Sequence, residues 1–302
     1  MKILLASSSH LAKDLLDQIK NSDHQLLGSI SSPDRASGRG QSISSNDFAT
    51  YCKEIGVTCY KPGTNEELAD ILQKTQAELV ITLAYGRLIK TNELQIPKHG
   101  WLNVHFSLLP RWRGAAPVQR AIAAGDKQSG VTVFKLEQGL DTGPIYSSLT
   151  YPLSDKSRSD EVLKDLASLC LQPVSQALTM IENGKVATAQ KSEGVTLASK
   201  ILKSEGRIDW SRSAVEIDRQ TRAFHPWPGA YTLLKGRRIE ILETRVSNTN
   251  GVAGEFFSID PLLVGTGNGS LEIIRVKPEN KREMSSSDWL RGARISLPCA
   301  FE

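Results

Sequence analysis

Short apolar runs alternate with helical patterns along the first half of the chain. Lys2–Ala6 reads as a buried strand, an amphipathic stretch over Leu11–Lys20 predicts a helix, and Gln25–Ile30 a second strand. A helix-like Asn46–Ile55 and a brief strand at Val57–Tyr60 follow. Glu66–Lys74 has a helical period, and Glu78–Leu83 and Trp101–His105 are apolar strand candidates. Gly130–Leu136 and Ile145–Leu153 continue the series, before one long helix running from about Ser159 to Glu182. Alternation of this kind predicts an α/β domain built on a doubly wound, Rossmann-like sheet, whose ligands bind beyond the carboxyl ends of the strands.

The pattern then changes. A polar stretch without strong period, A-T-A-Q-K-S-E-G-V-T-L-A-S-K, reads as a linker. A helix at Ala214–Phe224 leads into short β-rich segments at Tyr231–Leu234, Arg238–Val246, Gly254–Ile259 and Ser270–Lys277, separated by Gly, Asn and Asp turns. This predicts a small, OB-like β-barrel. The expected organisation is a catalytic domain over 1–186, a linker over 187–203 and a C-terminal domain over 204–302.

Bulk properties narrow the class. At 302 residues, with 39% hydrophobic and 23% charged, the chain has material for about two soluble domains. The opening apolar run stops after about five residues, too few for a signal-peptide core, and no later run approaches the ~20 residues of a membrane span. Cys52, Cys59, Cys170 and Cys299 are scattered, with no C-x-x-C pair and no histidine at zinc spacing. A cytoplasmic protein without disulfides, metal or membrane association is expected. After the first strand comes Ser7-Ser8-Ser9-His10 rather than G-x-G-x-x-G, which argues against a dinucleotide pyrophosphate site. The net charge of +4 permits a polyanionic partner without requiring one.

The segment richest in chemistry is Trp101–Pro117, W-L-N-V-H-F-S-L-L-P-R-W-R-G-A-A-P, with L-D-T-G-P at Leu140–Pro144. Asn103 and His105 alternate on a strand, so their side chains share one face near its end. Asn offers a neutral hydrogen-bond donor, His a proton shuttle near neutral pH, and Asp141 an anchor for the imidazole. Taken alone, a histidine near a strand end is more often structural than catalytic, and Asp beside glycine is an ordinary turn residue.

The joint pattern resembles the folate-dependent formyltransferase family. N-V-H-F-S-L-L-P-R-W-R-G-A-A-P, followed after about three dozen residues by G-L-D-T-G-P, is similar to its signature. R-W-R-G-A-A-P-V-Q-R is most similar to the branch that acts on charged initiator tRNA. Further similarity lies at Ser31–Gly40, Leu83–Ile89, Arg207–Trp210 and Arg222–Ala230, so it spans nearly the whole chain. The resemblance implies a catalytic set of Asn103, His105 and Asp141. It also implies a folate pocket lined by Ser107, Leu108, Leu109 and Pro110 with the turn Leu83, Ala84, Tyr85 and Gly86. The implied formyl carrier is 10-formyltetrahydrofolate, a cosubstrate, and the implied acceptor is initiator methionyl-tRNA, handled by a monomer. Phe106 departs from the family, where many members have glycine; its side chain must turn from the carrier or wall the pocket.

On the tRNA side, S-S-P-D-R-A-S-G-R-G-Q-S-I-S-S at Ser31–Ser45 has the composition of a surface loop. The resemblance assigns it to the acceptor end of the tRNA, with Arg39 as the key side chain beside Arg35. Residues 200–302 hold sixteen basic and thirteen acidic side chains. Arg237, Arg238, Lys281 and Arg282, with Lys277, Arg291 and Arg294, are candidates for a face that tracks the RNA backbone. His225–Pro228, H-P-W-P, reads as a helix stop that packs an indole. Two alternatives share parts of this pattern: a formyltransferase acting on an amino-sugar nucleotide or purine precursor, and a non-catalytic RNA-binding homologue. The Arg39 loop and β-rich second domain disfavour the first, and the intact trio disfavours the second.

Overall fold

The computed structural model describes residues 1–37 and 42–302. Two compact units divide the chain: Met1–Pro117 with Gln128–Pro152 and Leu163–Ala198, and Val118–Lys127 with Leu153–Val162 and Ser199–Glu302.

Among the described residues, seven strands form the sheet of the first unit: β1 (Lys2–Ala6), β2 (Gln25–Ile30), β3 (Cys59–Tyr60), β4 (Leu79–Thr82), β5 (Trp101–His105), β6 (Gln128–Lys135) and β7 (Ile145–Pro152). Their order is β7-β6-β5-β4-β1-β2-β3. The five from β3 to β5 run parallel, and β6 and β7 are antiparallel additions. Ile3 to Ala6 and Leu79 to Ile81 have no exposed surface, the continuous burial that a sheet covered on both faces demands. Leu68 and Leu72, on the helix Asn65–Thr75, join Leu4, Val80 and Trp101 in one apolar cluster. Strand order reverses between β1 and β4, the position beyond whose carboxyl strand ends sheets of this kind bind their ligands.

Some elements differ from the sequence expectation. The long helix is two, Ser159–Leu169 and Leu171–Glu182. Pro173 explains the break: it has no N–H to donate to the carbonyl of Leu169, and its ring crowds that carbonyl. The first helix opens with a 3₁₀ turn at His10–Ala12, capped by Ser9. The expected linker is engaged with the first unit. Thr188 exchanges two backbone hydrogen bonds with Ile145 (2.7 and 2.8 Å), and Leu197–Ala198 pairs in parallel with Arg113–Gly114.

In the second unit, β8 (Tyr231–Leu234), β9 (Arg237–Ser247), β10 (Phe256–Ile259), β11 (Leu262–Gly265) and β12 (Ser270–Pro278) form an antiparallel sheet ordered β8-β9-β12-β11-β10, with β13 (Met284–Ser285) beside β12. It curls into a half-barrel. Its core contains Trp210, stacked on Phe301 at 5.2 Å, with Trp289 on the same ring at 6.1 Å. Trp227 of H-P-W-P does not pack as expected: the residue is 56% exposed. Among the described residues no helix is long and apolar enough to cross a membrane.

Candidate active site

The end of β5 carries the first two site residues, and sheet register sets their neighbours. Asn103 lies opposite Thr82 of β4 and Phe134 of β6, and His105 lies opposite Thr132. Residues in register on adjacent strands share a face, so these side chains stand on one face in two successive rows, Thr82 with Asn103 and Phe134, and His105 with Thr132. Thr82 Oγ1 donates to Asn103 Oδ1 at 2.8 Å. Holding the amide by its oxygen leaves the Nδ2 donors, the part an oxyanion needs, without a partner among the described residues.

His105 is buried, and its ring meets Phe134 edge-on at 6.3 Å. Its Nε2 is 2.9 Å from the carbonyl of Trp112, and its Nδ1 is 3.7 Å from Asp141 Oδ2. The Trp112 carbonyl can only accept, so Nε2 carries the proton and Nδ1 is the basic nitrogen of the neutral ring. Burial pushes the pKa down, against the opposing pull of the Asp141 charge and the Trp112 carbonyl. The neutral ring is therefore the resting form near neutral pH.

Asp141 arrives from the turn between β6 and β7. Its φ is +51°, a conformation that side-chain-bearing residues rarely hold unaided. The N–H of Gly114 donates to Asp141 Oδ2 at 2.7 Å. Gly114 has φ +126°, and a Cβ there would stand 2.6 Å from the carbonyl oxygen of Ala198, so only glycine fits.

The structure places the Ser107–Pro110 turn directly after β5. Thr132 Oγ1 donates to the Ser107 carbonyl (2.7 Å) and accepts from Leu109 N (3.2 Å), while Ser107 Oγ donates to the Arg111 carbonyl (2.6 Å). Leu108 packs over Gly130, where a Cβ would lie 2.6 Å from Leu108 Cδ2. Phe106 is buried. The Leu83–Gly86 turn follows β4 at the strand-order reversal. Ser8, after β1, donates from its backbone to Ala84 O and from its hydroxyl to Tyr85 O, both at 3.3 Å. Leu83 and Tyr85 are buried, whereas Ala84 and Gly86 are exposed, at φ +50° and +73°. Both turns thus stand at the carboxyl edge of neighbouring strands, as Asn103 and His105 do.

Thr82, Gly114 and Thr132 were not singled out by sequence. One signal existed for Thr82: it is the polar residue closing an otherwise apolar strand, L-V-I-T, just before the Leu83 turn.

Of the residues expected to meet tRNA, Arg39 falls within 38–41, outside the described residues. Arg35 opens a ribbon of Arg35–Ser37 paired with Ser42–Ser44, whose flanks are tied together by Lys61 through Asp34 (2.6 Å) and Ser45 (2.8 Å). In the second unit, Arg237 and Arg238 start β9, and Lys281 and Arg282 lie in the turn after β12. Glu279 N donates to Arg238 O at 2.9 Å, which brings the two segments to one end of the sheet. Arg237, Lys281 and Arg282 are exposed. Arg238 is committed elsewhere, its guanidinium lying 3.7 Å over the Tyr231 ring and donating to Pro228 O.

Comparison with known proteins gives two family matches: Formyl transferase over residues 1–178, and Formyl transferase, C-terminal domain, over residues 200–294. A methionyl-tRNA formyltransferase of Cutibacterium acnes is 37% identical over 308 residues, covering 98% of each chain. One from Magnetococcus marinus is 34% identical over 296 residues, covering 96% of this chain and 95% of the relative. Among solved structures, HypX from Aquifex aeolicus in complex with tetrahydrofolic acid has a similar fold, with a TM-score of 0.66 at 17% identity. The match covers 96% of this chain and 46% of HypX, so this chain spans about half of that protein.

Proposed function

The chain belongs to the formyl transferase family, and from that membership we propose that it moves a formyl group from 10-formyltetrahydrofolate to the α-amine of initiator methionyl-tRNA. It is an enzyme of one-carbon transfer that uses a folate-derived donor. The reading is supported above all by the convergence of Asn103, His105 and Asp141 at the carboxyl edge of β5, in a chain collinear with tRNA-formylating relatives.

The residues fit a folate carrier. A flat heterocycle needs backbone donors and acceptors along one edge and an apolar wall. Ala84 and Gly86 are exposed at the strand-order reversal, with open space where a Gly86 side chain would stand. Leu108 and Leu109 supply apolar surface in a turn pinned by Thr132. When bound, the carrier supplies an activated formyl group on nitrogen.

Transfer between amines passes through a tetrahedral oxyanion and requires a proton to leave the attacking nitrogen. Asn103 Nδ2, oriented by Thr82, is the donor for that oxyanion. His105, neutral at rest, takes the proton at Nδ1 and gives it up to the departing nitrogen as the old nitrogen–formyl bond breaks, and Asp141 stabilises the imidazolium in between, across the 3.7 Å gap. That distance exceeds a direct hydrogen bond, as is common before substrate closes a site. The Arg39 segment and the basic end of the second unit are assigned to tRNA, with Arg237, Lys281 and Arg282 on its backbone. We assign catalysis to the domain over 1–186, RNA holding to that over 204–302, and action in the cytoplasm as a monomer.

The decisive experiment supplies formyl-labelled carrier with initiator methionyl-tRNA, elongator methionyl-tRNA or an amino-sugar nucleotide. Label on the initiator amine is expected. Label only on the sugar nucleotide would make this a small-molecule formyltransferase.

A further inference from the structure

Asp141 is the one member of the trio that no strand holds. It sits in a turn between two glycines, Gly139 at φ +129° and Gly143, where a Cβ would meet the carbonyl of Lys135. With its own φ at +51°, the loop must be held by its surroundings to keep the carboxylate near His105. The hold comes from a segment that sequence alone reads as a linker.

Gln190 lies between two anchors of that segment, Thr188 on Ile145 and Leu197–Ala198 on Arg113–Gly114. Its Nε2 donates to the carbonyls of Asp141 and Gly143, each at 2.8 Å. Its Oε1 accepts from Arg113 Nε and Nη2 at 3.1 and 2.7 Å. Both amide protons and the oxygen are thus used, and the group can turn over only by losing all four bonds. The other side of the loop is served by the same stretch: Arg113 flanks Trp112, whose carbonyl meets His105, and Gly114, whose N–H meets the Asp141 carboxylate. Trp112 N and Arg113 N in turn donate to Thr196, at 2.9 Å each.

We propose that Gln190 is a positioning residue: its carboxamide, clamped by Arg113, sets the turn that presents Asp141 to His105. It touches neither substrate nor the reacting atoms. Its effect on the reaction runs through Asp141, and the proposal rests on the formyl-transfer reading for its kinetic part.

The test is Gln190→Glu. This change keeps an acceptor for Arg113 but replaces the two donated protons by an oxygen facing two carbonyls, so it pushes on the loop without releasing the segment. The expected result is a fall in kcat of about 10-fold or more, with KM for the formyl carrier within about twofold. In an Asp141→Asn background the same change should have no further effect on kcat. A readout independent of substrate is the imidazole titration of His105, followed by NMR on histidine-labelled protein. Asp141→Asn should lower that pKa by removing the charge that opposes burial, and the uncharged Gln190→Ala should shift it the same way, whereas the carboxylate of Gln190→Glu would itself push the pKa up. Gln190→Ala, with thermal unfolding as a control, serves where the new carboxylate unfolds the loop. A Gln190→Glu protein with wild-type kcat and a Gln190→Ala protein with wild-type His105 titration would overturn the proposal, as would an equal loss of kcat from Gln190→Glu in the Asp141→Asn background. If the wild-type chain formylates no methionyl-tRNA, the functional reading fails, and the histidine titration still decides the role of Gln190.

Discussion

Nδ1 of His105 and Oδ2 of Asp141 face each other across 3.7 Å, with the carboxylate already taken by the N–H of Gly114. The pair is close enough for charge to act on charge and too far apart for a shared proton. In the proposed mechanism His105 therefore rests as a neutral base, and Asp141 stabilises its protonated form at the moment it is made.

Replacing His105 by Ala should lower kcat by at least ~10²-fold, the scale for losing a proton-transfer group, while carrier binding is kept. Single-turnover formylation beside equilibrium binding of the carrier separates the two. Activity within a few-fold of wild type would remove His105 from the mechanism.

The pH profile has a definite sign. Burial lowers the His105 pKa, so the ring stays neutral until the pH drops below the ordinary histidine range. Below that lowered value it is protonated, the base is lost, and kcat/KM should fall. In Asp141→Asn the acidic limb should move to still lower pH while the plateau drops. A limb that moves to higher pH would mean that Asp141 does not act on this ring.

Thr82→Val keeps shape and removes the hydroxyl that holds Asn103 Oδ1. Free to rotate, the amide spends less time with its donors toward the oxyanion. A loss of about 10-fold in kcat is expected, from a chain that unfolds near the wild-type temperature. Unchanged kcat would show that Asn103 is oriented by something else.

Gly114→Ala places a methyl against the Ala198 carbonyl at a φ that side chains avoid. The cost is about 2 kcal/mol in unfolding free energy, measurable by urea titration. Because Gly114 N is bonded to Asp141, kcat should fall with it, whereas Gly86→Ala, with open space around it, should cost less stability.

Charge removal at the basic end of the second unit gives the last test. Arg237→Ser, Lys281→Ser and Arg282→Ser together should weaken tRNA binding and flatten its log–log salt dependence by up to about one unit per lost phosphate contact. Arg39→Ala should reduce formylation of charged tRNA and leave carrier affinity intact. Salt slopes that match the wild type in the triple variant would move the RNA path to another face.

The parts of this protein that were legible in its sequence are those written in local pattern. I-L-L-A and L-V-I-T announce fully buried strands, and N-V-H announces two polar groups on one face. What escaped is long-range. Gln190 reaches residues 47 to 77 positions away, and nothing in A-T-A-Q-K-S-E-G reports such partners. Leu262–Gly265 is a four-residue strand joined to Phe256–Ile259 through Asp260-Pro261, too short to show a period of its own. Trp227, read as a packing residue from its flanking prolines, is exposed because prolines fix the backbone around an indole without supplying a cavity for it.

The interleaved segments Val118–Lys127 and Leu153–Val162 carry a consequence for anyone dissecting or recombining the molecule. A cut after Ala198 follows the linear map, yet it strands on the N-terminal fragment two stretches whose packing partners leave with the C-terminal one. Gene fusions and chimaeras with relatives should therefore exchange three pieces together. A swap at a single crossover after Ala198 would leave two N-terminal segments, shaped to one parent's C-terminal unit, to pack with the other parent's.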